Sequence, residues 1–385
     1  MAAGLLAVLL AALLQAAPEV DSPVSAPLPE GADPSGPWKL VRVRDGAEVP
    51  VQIDRSNPPR AVWIHRGAPG SNEEYRLQAG PPSSFPAVEV ADVEGKHLSL
   101  SYRGRPILRY NYAPVEPPAG VDPVFTRSGY LHPVWTPDGR VLSNDFPAKH
   151  LHHHGVWFAW TSAEFEGRKS DFWNSKERQG RIDCVKVEET FSGPVFGGFR
   201  ARHRWLNLNA PGAPRPALEE VWEVRAYALG EVFVFDVVSV QTCASQAPLR
   251  IRKYHYGGLG FRGSGEWEGT DGCAFLTSEG RRRQDGHATT ARWCILSGTL
   301  AGAPASITFL SHPSNFRFPQ GMRIHPDEPF FNWCPAQGGD FSIEPGVPYV
   351  SRYRFVASRA VLPEAAAEAF WKAYAAPPVT LTAAR

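Results

Sequence analysis

Short runs in which apolar and polar residues alternate, each ended by Gly, Pro, Asn or Asp, recur along most of this 385-residue chain. In HLSLSYRG, Leu98, Leu100 and Tyr102 fall on one face of an extended chain and the serines on the other. That is the two-residue period of a strand with one face in a core. Similar runs are KLVRVRD, AVEVADVEG, RIDCVKVEETF, ALEEVWEVRAY, EVFVFDVVSVQT, ASITFLSHP and YVSRYRFVAS. The 35 Gly and 37 Pro break the chain too often for long helices, and the 12 Trp suit packed sheets. The predicted fold is all-β: a large antiparallel β-sandwich. One segment departs from the pattern. PEAAAEAFWKAYAA, opened by Pro363, reads as a short C-terminal helix over 363–376, packed on the sandwich.

The ends of the chain differ from its middle. Leu5–Leu14 is an apolar run followed by Ala16 and Ala17, so residues 1–17 read as a signal peptide, weak because no Lys or Arg precedes the run. The run is shorter than the roughly 20 residues that span a bilayer, and no other segment is a membrane-crossing candidate. A periplasmic or secreted location is expected. Residues 18–36 are rich in Pro, Ser and acid without a period, and are expected to be a disordered linker. One domain then covers 37–376, with N-terminal strands in 37–112 and the main sandwich in 113–360. A net charge of +1, from 40 basic and 39 acidic residues, gives no field for nucleic acid or an anionic membrane. The five cysteines, Cys184, Cys243, Cys273, Cys294 and Cys334, show no CxxC spacing, so a zinc knot is not expected. An exported chain can form one or two disulfides, and an odd count leaves one thiol over.

KHLHHHGVWFAW, residues 149–160, concentrates the chemistry. If this stretch is extended, His150, His152 and His154 share a face, and His153 points the other way beside Leu151 and Trp157. Three imidazoles in a row suit zinc, copper or iron. They serve equally as a general acid or base with orienting partners, or as hydrogen-bonding groups at the mouth of a sandwich. Nearby, Asp171 and Trp173 in SDFW offer a carboxylate and a stacking ring. Asp171 would orient a histidine, hold a sugar hydroxyl or a metal, or simply cap a turn. KYHYGGLGFRGSGEWEG places His255, Arg262 and Glu266 around a Gly-rich bend that lacks the spacing of a nucleotide loop. SHPSNFRFPQGMRIHPDEPFFNWCP carries His312, Asn315, Arg317, Arg323 and His325, planar donors suited to carboxylates and hydroxyls.

These stretches, with SGYLHPVWTPDGRVLSNDFPAKHLHHHGVWFAW and PGVPYVSRYRFV, resemble a family of soluble bacterial proteins that carries the name methane oxygenase PmoA. The resemblance spans most of residues 38–356. It implies a supersandwich similar to galactose mutarotase and several polysaccharide lyases, and a setting among exported sugar-degrading enzymes. The true membrane subunit of that name spans the bilayer, so methane oxidation is not implied. Relatives read DHPHHRG or DHPHHHG, whereas Lys149 and Leu151 stand here for the acid and the proline, which removes one supporting carboxylate.

Three function classes follow. The first is a carbohydrate-active enzyme, an epimerase, lyase or hydrolase acting on a small-molecule or glycan substrate. His152 or His153 would move the proton, with His255 or His312 as partner and Asp171 positioning or accepting. Trp173, Arg262, Asn315, Arg317, Arg323 and His325 would hold substrate, and Asp145 is a lesser candidate. A hydrolase would need a carboxylate pair such as Asp171 and Glu266. The second class is a metal-dependent, oxygenase-like enzyme with a divalent metal on His150, His152 and His154. The third is a glycan-binding module that stacks sugars on Trp157, Trp160 and Trp173 without chemistry.

Overall fold

Alternation becomes structure most plainly in strand Arg215–Tyr227. Leu218, Glu220, Trp222, Val224 and Ala226 are buried, and the residues between them are half-exposed. Its neighbours are equally long: Gly180–Phe191, Phe196–Asn207 and Val232–Cys243. With Tyr349–Ser358, Ala303–Ser311, Trp293–Leu300 and Cys273–Thr277 they make one eight-stranded antiparallel sheet. A second eight-stranded sheet runs in the order Met322–Ile324, Phe330–Trp333, Gly258–Arg262, Val156–Ala159, Tyr130–Val134, Arg105–Asn111, His97–Tyr102, Val88–Val93. Leu98, Leu100 and Tyr102 are buried, as the alternation requires. One apolar core joins the two sheets; Phe331 of the second stacks on Phe309 of the first at 4.4 Å. This is the expected large antiparallel β-sandwich, with a single α-helix among the described residues, Glu364–Ala375, for which Pro363 is the cap.

A computed structural model of the chain describes residues 19–56, 58–67, 73–212, 214–376 and 379–383. The expected signal peptide lies outside these. The linker expectation fails for Val20–Pro27, which is a strand paired with Arg60–Gly67, with Val20 and Val24 buried. Its prolines gave the linker reading, but this is an edge strand, where a missing N–H costs no ladder bond. The first strands do not all belong to the main sandwich. Val24, Leu40, Val51, Ala61, Trp63, Tyr75 and Leu77 form a separate core between two small sheets. A parallel strand, Val379–Ala383, brings the chain back to them. All five cysteines are free thiols. No helix of the described residues is long and apolar enough to cross a membrane.

Candidate functional site

Register decides which side chains meet. Trp157 pairs with Gly260, Gly260 with Asn332, and Asn332 with Arg323, so these four form one row across four strands. The next row, Val156, Phe261, Phe331 and Ile324, faces the core. The Trp157 row therefore lies on the outward face, together with Phe330 and Arg262 one step along. Gly260 is required there: a Cβ would stand 2.9 Å from the Trp173 ring, which packs over the sheet. Gly155 is similarly fixed, since a Cβ would meet the Leu131 carbonyl oxygen at 2.1 Å.

The histidines are not on a strand. His150 N–H donates to Pro147 O and His153 N–H to His150 O, so residues 147–153 make successive turns before the strand begins at Val156. The shared face of His150, His152 and His154 expected from an extended chain does not exist. The turns instead stack His153 between His150 (4.8 Å) and Phe330 (4.7 Å), with His152 edge-on at 4.7 Å. His154 leaves the group. It is buried with its Nδ1 2.6 Å from Asp145, which also accepts from the Tyr130 hydroxyl. His154 and Asp145 thus brace the site from behind, and the ligand atoms of His150, His152 and His154 do not come together as the sequence reading expected.

Glu328 anchors the cluster. His150 Nδ1 lies 3.0 Å from its carboxylate, and Arg262 pairs with it from within the protein. Burial works against ionising Glu328, but His150 and Arg262 outweigh it and hold its pKa down to about 2. Arg262 is fully buried and also pairs with Glu268, so it is scaffold and not the substrate ligand expected of it. Burial and then neighbouring positive groups keep His152 neutral, with a pKa near 3, and His153 is pushed well below its ordinary value. His150 and His152 remain partly open to solvent.

Around them lie Trp173, Tyr256, Arg323, His287, His325 and His255. Trp173 packs on Trp157 (4.9 Å) and Tyr256 (5.4 Å). Arg323 Nη1 is 3.3 Å from His287, and the His325 ring is 5.9 Å from that of His150. His255 is exposed beside Tyr256 at 4.8 Å. Burial raises the Tyr256 pKa, and its hydroxyl exchanges hydrogen bonds with Asn174. Lys176 is exposed near His152.

Four further expectations are corrected. Asp171 accepts from the Trp173 and Asn174 amides and the Asn174 side chain; it caps a turn. Its carboxylate is thus committed, and Glu266 is bound to the Ala301 amide, so the hydrolase pair is not supported. His312 is elsewhere, bonded to Ser314 and packed on Tyr374 of the C-terminal helix. Asn315 and Arg317 tie loops through backbone carbonyls, Asn315 to Arg352 and Arg317 to Pro335, Gly339 and Asp340. Sequence reasoning missed Glu328, Tyr256, Phe330 and His287. A signal for Glu328 was present: an acid between Pro326 and Pro329 in a histidine-bearing loop.

Residues 97–372 match the profile of a family described as a family of unknown function, DUF6807. No curated protein sequence matches the chain. Among solved structures, it is similar to the heparan sulfate lyase HepC of Pedobacter heparinus, with 8% identity, a TM-score of 0.34, and coverage of 74% of this chain and 38% of that one. It therefore spans well under half of the lyase. A galactose mutarotase related enzyme from Lactobacillus acidophilus aligns with 8% identity, a TM-score of 0.33, and coverage of 72% of this chain and all of that one. None of these matches carries the PmoA name.

Proposed function

This chain belongs to the DUF6807 family, and we propose that it is an enzyme acting on an acidic saccharide by general acid–base chemistry, with His150 as the proton-moving group. The observation that carries this is the pair of His150 and Glu328, 3.0 Å apart on the outward sheet face. A buried, ionised carboxylate 3.0 Å from Nδ1 stabilises the imidazolium formed when the ring takes a proton. His152, neutral and edge-on, offers a second nitrogen to substrate. Trp173, Tyr256 and Phe330 make an aromatic wall for a sugar ring. Arg323 and Lys176 give that wall a positive border, which favours a carboxylate on the sugar.

A second reading, a divalent metal on His150, His153 and Glu328, rests on ligand atoms within 4.8 Å of one another. Arg262 weighs against it. Its guanidinium already pairs with Glu328 and comes 3.5 Å from His153 Nδ1, so a cation there would face a resident cation.

The test is a screen of uronate-containing glycans and free sugar acids for turnover, followed by His150→Asn. The His150 side chain is 34% exposed, so this variant should keep its Tm within a few degrees and lose about 10²–10⁴-fold in kcat. Turnover unaffected by His150→Asn sinks the proposal. Retained binding with no turnover in the wild type would make the chain a glycan-binding module. One equivalent of zinc, iron or copper by plasma mass spectrometry, lost in His150→Asn, would favour the metal reading.

A further inference from the structure

The segment 171–180 has two sides. Trp173 and Asn174 turn toward Tyr256 and the histidines. Phe172, Ser175 and Arg178 line a separate cavity of about 810 Å³. Arg127 lines it too, and its backbone is fixed there by two hydrogen bonds exchanged with Val115.

Arg127 is the anomaly. It is only 8% exposed, yet its side chain makes a single hydrogen bond, a long one of 3.3 Å from Nη2 to the Phe158 carbonyl. Its Nε is buried with no partner. No carboxylate of the described residues forms an ion pair with it. The other two arginines of the cavity are satisfied: Arg178 by Asp122 at 2.6 Å and Arg181 by Asp183 at 2.9 Å. Burial pushes the Arg127 pKa down to about 10, with Asp183 and Glu220 opposing from beyond contact distance. Buried guanidinium groups are ordinarily paired, because desolvation without compensation is costly. Five N–H donors in a planar fork, mostly unmet at the wall of a cavity, match a planar or tetrahedral anion.

We propose that this cavity binds an organic anion, its carboxylate or sulfate ester on Arg127 and its ring or aliphatic body against Val124, Phe172 and Leu208. The volume lies in the range of small-molecule sites and holds a sugar acid or an aromatic acid. The anion supplies the partner that the fold withholds from Arg127. The cavity and the histidine cluster share no side chain, so loss of one site leaves the other in place.

The experiment is isothermal titration of the full chain at low salt. The probes are glucuronate and galacturonate, benzoate and phenyl sulfate, and inorganic sulfate. Glucose and benzamide are the neutral controls. At least one acid is expected to bind at least tenfold more tightly than its neutral counterpart; whether sugar acid or aromatic acid wins identifies the body of the ligand. Arg127→Met should weaken that binding at least tenfold and keep or raise the Tm of the ligand-free chain, since it removes an uncompensated buried charge. Val124→Trp, which fills the cavity and leaves Arg127 intact, should weaken binding as much. If no acid binds the wild type better than the neutral controls, or if both variants bind as the wild type does, the proposal is overturned.

Discussion

Imidazoles in contact cannot all be charged together, and burial holds His152 and His153 of the cluster below their ordinary range, as it does His132, which lies apart from them against Ser143. His132 has its pKa lowered to about 4 and His152 to about 3, burial being the main cause in each. The unfolded chain takes up these protons near the ordinary imidazole value, about 6.5. Between there and the folded pKa the unfolded state binds more protons, so stability falls as pH falls. Each such imidazole contributes at most about 1.4 kcal/mol per pH unit in that window. Glu328 adds to the loss below its unfolded value, down to about 2, because its folded pKa is also depressed. The Tm should therefore drop steadily from pH 6.5 to 4, and His152→Asn should flatten that slope. Scanning calorimetry at four pH values checks this; parallel slopes for the two proteins would refute it. The sequence displayed these histidines but not which of them face solvent. An alternating count assumes an extended chain, and the turns at Pro147 and His150 make contact neighbours of residues that a strand would separate.

At the scale of the element, alternation located most long strands and also misdirected one reading. In ALEEVWEVRAY the pattern puts Glu220, and not Glu219 or Glu223, on the core face. A carboxylate there survives because five donors converge on it: His203, Trp205, Trp222, Ser239 and Gln241. Four come from the two flanking strands, His203 and Trp205 on one side and Ser239 and Gln241 on the other, and Trp222 lies two residues along the same strand, so the ion is satisfied. Glu220→Leu would bury those donors without a partner. It is expected to cost about 3–5 kcal/mol, whereas Glu220→Gln, which keeps one acceptor, should cost less. Urea unfolding of the two variants separates them, and equal midpoints would argue that the network adds nothing. The turn 147–153 shows the reverse case. Its histidines carry no apolar periodicity, so nothing in their spacing identified a strand.

The whole molecule is larger than its main sandwich. Strand Val20–Pro27 contributes Val24 to the small N-terminal core and Val20 to the cluster under the C-terminal helix with Ala367, Ala369 and Phe370. The matched family region, 97–372, leaves that small core outside. Deleting residues 20–27 should remove two buried valines, about 3–6 kcal/mol of apolar burial, and bare the edge of Arg60–Gly67. A marked fall in Tm is expected; an unchanged Tm would restore the linker reading of that segment. Composition concealed this strand, because Pro and Ser mark linkers and edge strands alike.

The all-β class, the sandwich and the terminal helix follow from the sequence, since each rests on a local period of two or on helix-forming composition. Residue types at the site were visible too: His150, His152, Trp173, Arg323 and His325 stand near one another in the fold. Partnership was not visible. Glu328 meets His150 across 178 positions of chain, and Arg127 ends up without a counter-ion, because strand register and the packing of loops on the sheets set those distances. A one-dimensional pattern specifies which way a side chain points from its own strand. Which side chain it finds there is decided only when the sheets assemble.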